Sequence, residues 1–161
     1  MSERRQAETT KADADEALAA IERAFVRIRR GMSRRNLGAR MMRELGGGVD
    51  LSHMGVVDAV EEGPDAGGGP VTVGMVGERM GIDPSRASRV VASALEAGYV
   101  ERVASQADGR RVGLRLTDAG RALAESARAV RRRAFAEAMD GWPDADRRDF
   151  ARLLSRFVGR E

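Results

Sequence analysis

The segment from Asp83 to Thr117 admits few folds. Asp83-Pro84 puts a carboxylate where the orphan amides of a first helical turn need an acceptor, then a residue lacking N–H where none is required. Ala87, Val90, Val91 and Ala94 then recur at i, i+3, i+4 and i+7, one apolar stripe at helical period with Leu95 at its edge. Ser85, Arg86, Ser88 and Arg89 lie off that stripe, so short hydroxyls and long guanidiniums face outward from the first two turns. Gly98 supplies the left-handed residue past a helix end, and Tyr99-Val100 opens an extended run.

A hairpin follows. Residues 99–104 and 112–117 flank a polar tip, and Val112, Leu114 and Leu116 alternate with Gly113 and Arg115 at the period of a strand. The tip carries Asp108-Gly109-Arg110-Arg111, a turn dipeptide and two cations. Arginine suits a narrow, electronegative minor groove because its guanidinium is planar and weakly hydrated. Arg102 is the expected structural partner of Asp108.

Upstream, Thr72 is placed to cap a short helix carrying Met75, Val76 and Met80 and ending at Gly81. Short helix, Gly-containing turn, second helix with exposed polar residues and hairpin together spell a winged helix-turn-helix. The stretch DPSRASRVVASALEAGYVER (83–102), the Asp108-Gly109-Arg110 tip and the run LRLTDAG (114–120) resemble the MarR family of bacterial transcription regulators. The Asp-x-Arg wing motif lies nine residues before the strand-ending Thr117, the spacing of that family. Ala94 stands where many relatives carry a larger apolar residue.

The resemblance implies a duplex-DNA-binding regulator, a repressor released by a small ligand. Ser85, Arg86, Ser88 and Arg89 would read the major groove, with Thr72 beside them at the start of the first helix. Arg110 would enter the minor groove, and Arg111 and Arg115 would support phosphate contacts. The effector implied is a small aromatic or phenolic molecule, in a pocket between winged module and terminal helices near Phe25, His53 and Met54. The rival readings are an architectural DNA binder and a protein-interaction module, both without ligand control.

Composition excludes more than it selects. There is no cysteine, which removes disulfides, thiol catalysis and cysteine-based oxidant sensing. One histidine and no cysteine leave a transition-metal site to carboxylates, and no cluster has suitable spacing, so neither metal nor cofactor is expected. Glu61-Glu62 and Asp65 do not form a catalytic pair, because nothing nearby would raise one pKa or position a substrate, and no enzyme is expected. No apolar run approaches the roughly 20 residues that span a bilayer and the start is polar, so a cytoplasmic location is expected. Net charge is only +3, and between Val71 and Thr117 seven arginines face five acidic residues, so placement of charge outweighs its total. Lys11 is the only lysine among 28 basic residues, most economically a coding bias.

The remaining elements are helical, so the fold class is mainly α. Residues 1–10 read as a disordered tail, and 11–50 as N-terminal dimerisation helices. In that region Leu18, Ile21, Phe25, Ile28 and Met32 repeat at helical spacing, and a weaker element runs from Arg35 to Glu44. Ser52 is placed to cap a helix bearing Met54, Val57 and Val60, which opens the winged module of residues 51–117, its wing spanning 99–117. Gly63 to Pro70 reads as a linker, lacking every companion of a phosphate-binding loop.

Residues 118–161 read as C-terminal dimerisation helices. Asp118 is expected to cap a helix through Ala138 with Leu123, Ala127, Val130 and Ala134 in a stripe, and Trp142-Pro143 breaks it. A last helix then presents Phe150, Leu153, Leu154 and Phe157. One copy has little to cover both terminal helices, so a twofold homodimer on an inverted repeat is expected. His53 and Trp142 read first as packing residues, and the seven arginines between Arg27 and Arg43 as a solvated face.

Overall fold

The computed structural model describes residues 2–32, 40, 43–46, 49–65, 69–104 and 112–159, with side chains from Asp13 to Ile28 in the first stretch. Helix α1 (Ser2–Met32) starts well before Asp13, and this corrects the tail expected over residues 1–10. Glu, Arg, Gln and Ala dominate its first turns and no Gly or Pro occurs before Gly31, so nothing stops the helix from propagating to the end of the chain. Its 31 residues span about 46 Å at 1.5 Å per residue. Of the element expected over residues 35–44, Arg40, Arg43 and Glu44 are described and are helical.

Helix α2 (Leu51–Glu61) is the hub. Met54, Val56, Val57, Ala59 and Val60 are all buried, which covers most of the helix's circumference, as required of a helix with neighbours on several sides. Its cap is Asp50 rather than Ser52: Asp50 is extended, and its Oδ1 accepts from the Ser52 N–H at 2.8 Å. An ionised carboxylate is the stronger acceptor for those orphan amides.

Helix α3 (Val73–Met80) starts where expected, Thr72 Oγ1 accepting from the Met75 N–H at 3.3 Å, and ends on Gly81 in the left-handed conformation, φ 63°. Helix α4 (Pro84–Glu96) is capped by Asp83, whose carboxylate accepts from the Arg86 N–H at 2.9 Å. The two helices approach closely because position 77 is glycine: a Cβ there would sit 3.0 Å from the Ala87 Cβ. Ala87, Val91 and Ala94 are buried and Val90 is partly buried, so the apolar stripe faces the core.

Gly98, φ 73°, turns the chain into β1 (Val100–Ala104), which pairs antiparallel with β2 (Val112–Leu116) from Val100 opposite Leu116 to Ala104 opposite Val112. Val71 adds an isolated bridge to Leu114. Helix α5 (Asp118–Ala138) is capped by Thr117, which corrects the expected Asp118. The Thr117 hydroxyl accepts from the Gly120 N–H at 3.0 Å and donates to the Gly98 carbonyl at 2.6 Å, while Asp118 sits in the first turn and pairs with Arg121. Helix α6 (Asp144–Phe157) follows the break at Gly141 and Pro143.

The core gathers α2, the inner faces of α3 and α4, the strands and the Leu123, Ala124, Ala127, Val130 face of α5. Helices α1 and α6 stand outside it. Leu18, Ile21, Phe25 and Ile28 on α1 are 53–64% exposed, and no residue of α6 is buried. Among the described residues no helix is long and apolar enough to cross a membrane.

Candidate nucleic-acid interface

Helix α4 is a polarised object. Its buried side is alanine and valine, and its outer side presents Ser85, Arg86, Ser88 and Arg89, all exposed. Small residues on the buried side let the helix lie close to the core while the arginines stand clear. The two hydroxyls are engaged locally: Ser85 Oγ donates to the Asp83 carboxylate at 2.6 Å and Ser88 Oγ donates to the Pro84 carbonyl at 3.0 Å. The Ser85 hydroxyl, followed by the Arg86 amide, holds the Asp83 carboxyl below the usual carboxylate range.

Among the described residues no carboxylate pairs with Arg86 or Arg89, whereas several arginines elsewhere on the molecule are engaged. Arg131 grips Asp58 with two bonds of 3.0 Å, and Arg128 bonds Glu61. Arg79 reaches Asp65 at 2.7 Å, Glu62 at 3.5 Å and the Ala59 carbonyl at 2.6 Å. Arg40 bridges Glu44 at 2.6 Å and Glu137 at 2.5 Å, while Arg133 also bonds Glu44. Arg40, then Arg133, pulls the Glu44 carboxyl down, and Arg40 does the same to Glu137. So at least one member of the arginine-rich 27–43 stretch clamps structure together. Sequence reasoning missed these pairs, because the partners are separated by up to 97 positions and only the tertiary fold brings them together.

The wing is defined at its base. Arg115 is exposed and bonded to Glu101, its cross-strand partner, at 2.8 and 3.0 Å. Arg102 is exposed on β1 opposite Leu114. Asp108, Arg110 and Arg111 lie outside the described residues. The base is locked to α4 and α5 at Tyr99, whose carbonyl accepts from Thr117 N–H at 3.1 Å; a Cβ on Gly120 would stand 2.0 Å from that oxygen. Thr72 has its hydroxyl engaged as the cap of α3.

The three residues expected at a ligand pocket are not brought together. Met54 is buried in the core, Phe25 is 57% exposed on α1, and His53 is wedged between α2 and α4. A cleft of about 730 Å³ lies instead beside Gly55, Asp58, Ala59, Glu61, Glu62, Arg79, Met80 and Arg128. His53 Nε2 lies 2.8 Å from Ser93 Oγ, but its buried Nδ1 has no partner among the described residues and the Asp50 carboxylate is turned to Ser52. The residues expected at a dimer contact, Leu18, Ile21, Phe150, Leu153, Leu154 and Phe157, are all exposed. Trp142 packs edge-on against Phe150 at 5.7 Å, the anchor role read from the sequence.

Residues 47–111 match the sequence profile of the MarR family. No curated protein matches the sequence. Among solved structures the fold is similar to a MarR family protein from Bacillus stearothermophilus, with 21% identity, 89% of this chain and 94% of that chain covered, and a TM-score of 0.69. It is also similar to RV1404 from Mycobacterium tuberculosis, with 19% identity, coverage of 91% and 92%, and a TM-score of 0.58. A third is CouR from Rhodococcus jostii RHA1, solved bound to p-coumaroyl-CoA, with 25% identity, coverage of 78% and 85%, and a TM-score of 0.57. The profile thus covers the winged module, and the fold is shared with MarR family structures along most of the chain's length.

Proposed function

We propose that this chain is a sequence-specific repressor that binds an inverted repeat as a homodimer and is released by a small aromatic or phenolic ligand. The observation that carries the DNA reading is the pair Arg86 and Arg89, exposed and without a carboxylate partner among the described residues, on a helix whose opposite face is anchored by Ala87, Val91 and Ala94. Free guanidiniums on a rigid, correctly sized rod suit guanine edges and phosphates in a major groove. Arg110 and Arg111 would extend the contact into the minor groove, and the site of action would be the cytoplasm.

The homodimer is supported by the exposed apolar stripe of α1 and by Phe150, Leu153, Leu154, Phe157 and Val158 at the other end of the chain. Exposed apolar surface on two terminal helices is what a self-complementary twofold contact would cover. Residues 11–50 and 118–161 would form the dimerisation part and 51–117 the reader, with half-sites about 34 Å apart. Ligand release draws support from CouR, solved with p-coumaroyl-CoA.

Selection of fragments from a genomic DNA pool, followed by sequencing, tests the reading. A repressor of this kind enriches a short inverted repeat. Uniform recovery of all sequences would identify an architectural binder, and no recovery a protein-interaction module.

A further inference from the structure

His53 occupies a junction that DNA reading, as described above, leaves unused. It stands in the first turn of α2, and its ring reaches across to two points on the reading head. Nε2 meets Ser93 Oγ, late in α4, at 2.8 Å, and the ring packs on Tyr99 with centroids 5.6 Å apart and planes inclined by 55°. Tyr99 is where reading helix, wing and α5 converge, through the Thr117 bonds and the close approach of Gly120.

The Nδ1 atom decides the direction of the hydrogen bond. It is buried and has no partner among the described residues. A bare lone pair there costs less than an orphaned N–H, so the proton belongs on Nε2, which donates to Ser93. From the other side α2 is tied to α5 by Asp58–Arg131 and Glu61–Arg128. Helix α2 therefore holds the reading helix with one residue and the long C-terminal helix with others.

Building on the DNA-reading function proposed above, we propose that His53 is a positioning residue that fixes the seating of the reading helix and wing through Ser93 and Tyr99. It touches no DNA. Because the first half of α4 carries the reading side chains and the second half carries Ser93, a small tilt about the buried stripe displaces Arg86 and Arg89 at the groove. Base contacts demand that geometry, whereas phosphate attraction tolerates its loss.

The test uses the full-length chain with His53→Leu, Ser93→Ala, the double variant, and Ser93→Thr, which restores the acceptor. Affinity is measured for the selected operator and for a random duplex of equal length, alongside amide exchange of residues 91–99. Ser93 is exposed and alanine is a good helix former, so Ser93→Ala keeps the fold. Loss of one hydrogen bond in the seat predicts about a five- to tenfold loss on the operator and less than twofold on random DNA. The double variant is no worse than His53→Leu alone, Ser93→Thr recovers most of the affinity, and exchange of residues 91–99 speeds up in His53→Leu.

Equal losses on both duplexes, additive effects, or affinities unchanged within twofold would overturn the proposal. A wild-type chain that selects no operator contradicts the repressor reading instead. The seating itself is then decided by amide exchange, and unchanged protection of residues 91–99 in His53→Leu overturns it.

Discussion

The Arg115 guanidinium lies against the Glu101 carboxylate, its direct cross-strand partner, at 2.8 and 3.0 Å. The wing base thus carries a neutralised cation that a phosphate must win away from a carboxylate. Both side chains are well exposed, so the pair itself contributes little to stability. Glu101→Gln is expected to raise DNA affinity a few-fold without shifting the unfolding midpoint, and Arg115→Ala to lower affinity and make the salt slope shallower by about one per protomer. Salt titrations of the two variants check this. Lower affinity in Glu101→Gln would mean that the carboxylate holds Arg115 in its binding pose.

Gly120 separates two opposing effects of alanine. Alanine favours a helix over glycine by about 1 kcal/mol, but its Cβ would stand 2.0 Å from the Tyr99 carbonyl oxygen, where backbone has to move. The clash wins, and Gly120→Ala is expected to destabilise by about 2–3 kcal/mol in denaturant unfolding. Gly74, where a Cβ meets nothing closer than 3.7 Å, is the control: Gly74→Ala is expected to be neutral or stabilising by up to about 1 kcal/mol.

Acid stability follows from the caps. The Asp50 carboxyl is held down by the Ser52 amide and hydroxyl, and the Asp83 carboxyl by the Ser85 hydroxyl and the Arg86 amide. A folded-state pKa below the unfolded one gives stability that is present above the unfolded value, about 3.9 for aspartate, and lost as pH falls through the folded value. The unfolding temperature is therefore expected to hold down to about pH 4.5 and to fall below it. Asp83→Asn, which keeps an accepting oxygen that does not titrate, is expected to show a smaller fall between pH 4.5 and 3. An identical fall in both proteins would remove Asp83 from the account.

The apolar faces outside the core give a fourth expectation. Ile21→Asp or Leu154→Asp places a charge on a surface proposed to be covered by a second copy, and sedimentation is expected to change from dimer to monomer. Each change lies outside the core, so unfolding of the winged module is expected to shift little. A wild-type monomer at micromolar concentration would contradict the homodimer.

What the sequence disclosed was what neighbouring residues decide among themselves. Asp83-Pro84, the Ala87, Val90, Val91, Ala94 stripe and Gly98 carry their geometry locally, and the structure places each where it was read. The caps of α2 and α5 were off by one or two residues, because Asp50 and Ser52, or Thr117 and Asp118, are all competent acceptors. The choice falls to the backbone: Thr117 is selected because its hydroxyl can also donate to the Gly98 carbonyl across the hinge. Asp58–Arg131 and Glu61–Arg128 were illegible, since an arginine on a solvated helix and one facing a distant carboxylate look alike in one dimension. The Ser93 contact of His53 was illegible for the same reason, as was the burial of Met54 in the core.

The central claim is that Arg86 and Arg89 read duplex DNA from the outer face of α4. It is tested most directly by affinity for the selected operator and for random duplex across a salt series, in wild type, Arg86→Ala and Arg89→Ala. If the dimer neutralises about six phosphates, log affinity falls with log salt at a slope near −5. An arginine that forks a guanine costs about 1–3 kcal/mol on the operator when removed and much less on random DNA. Salt-independent binding, or operator affinity unchanged in both variants, would contradict the claim.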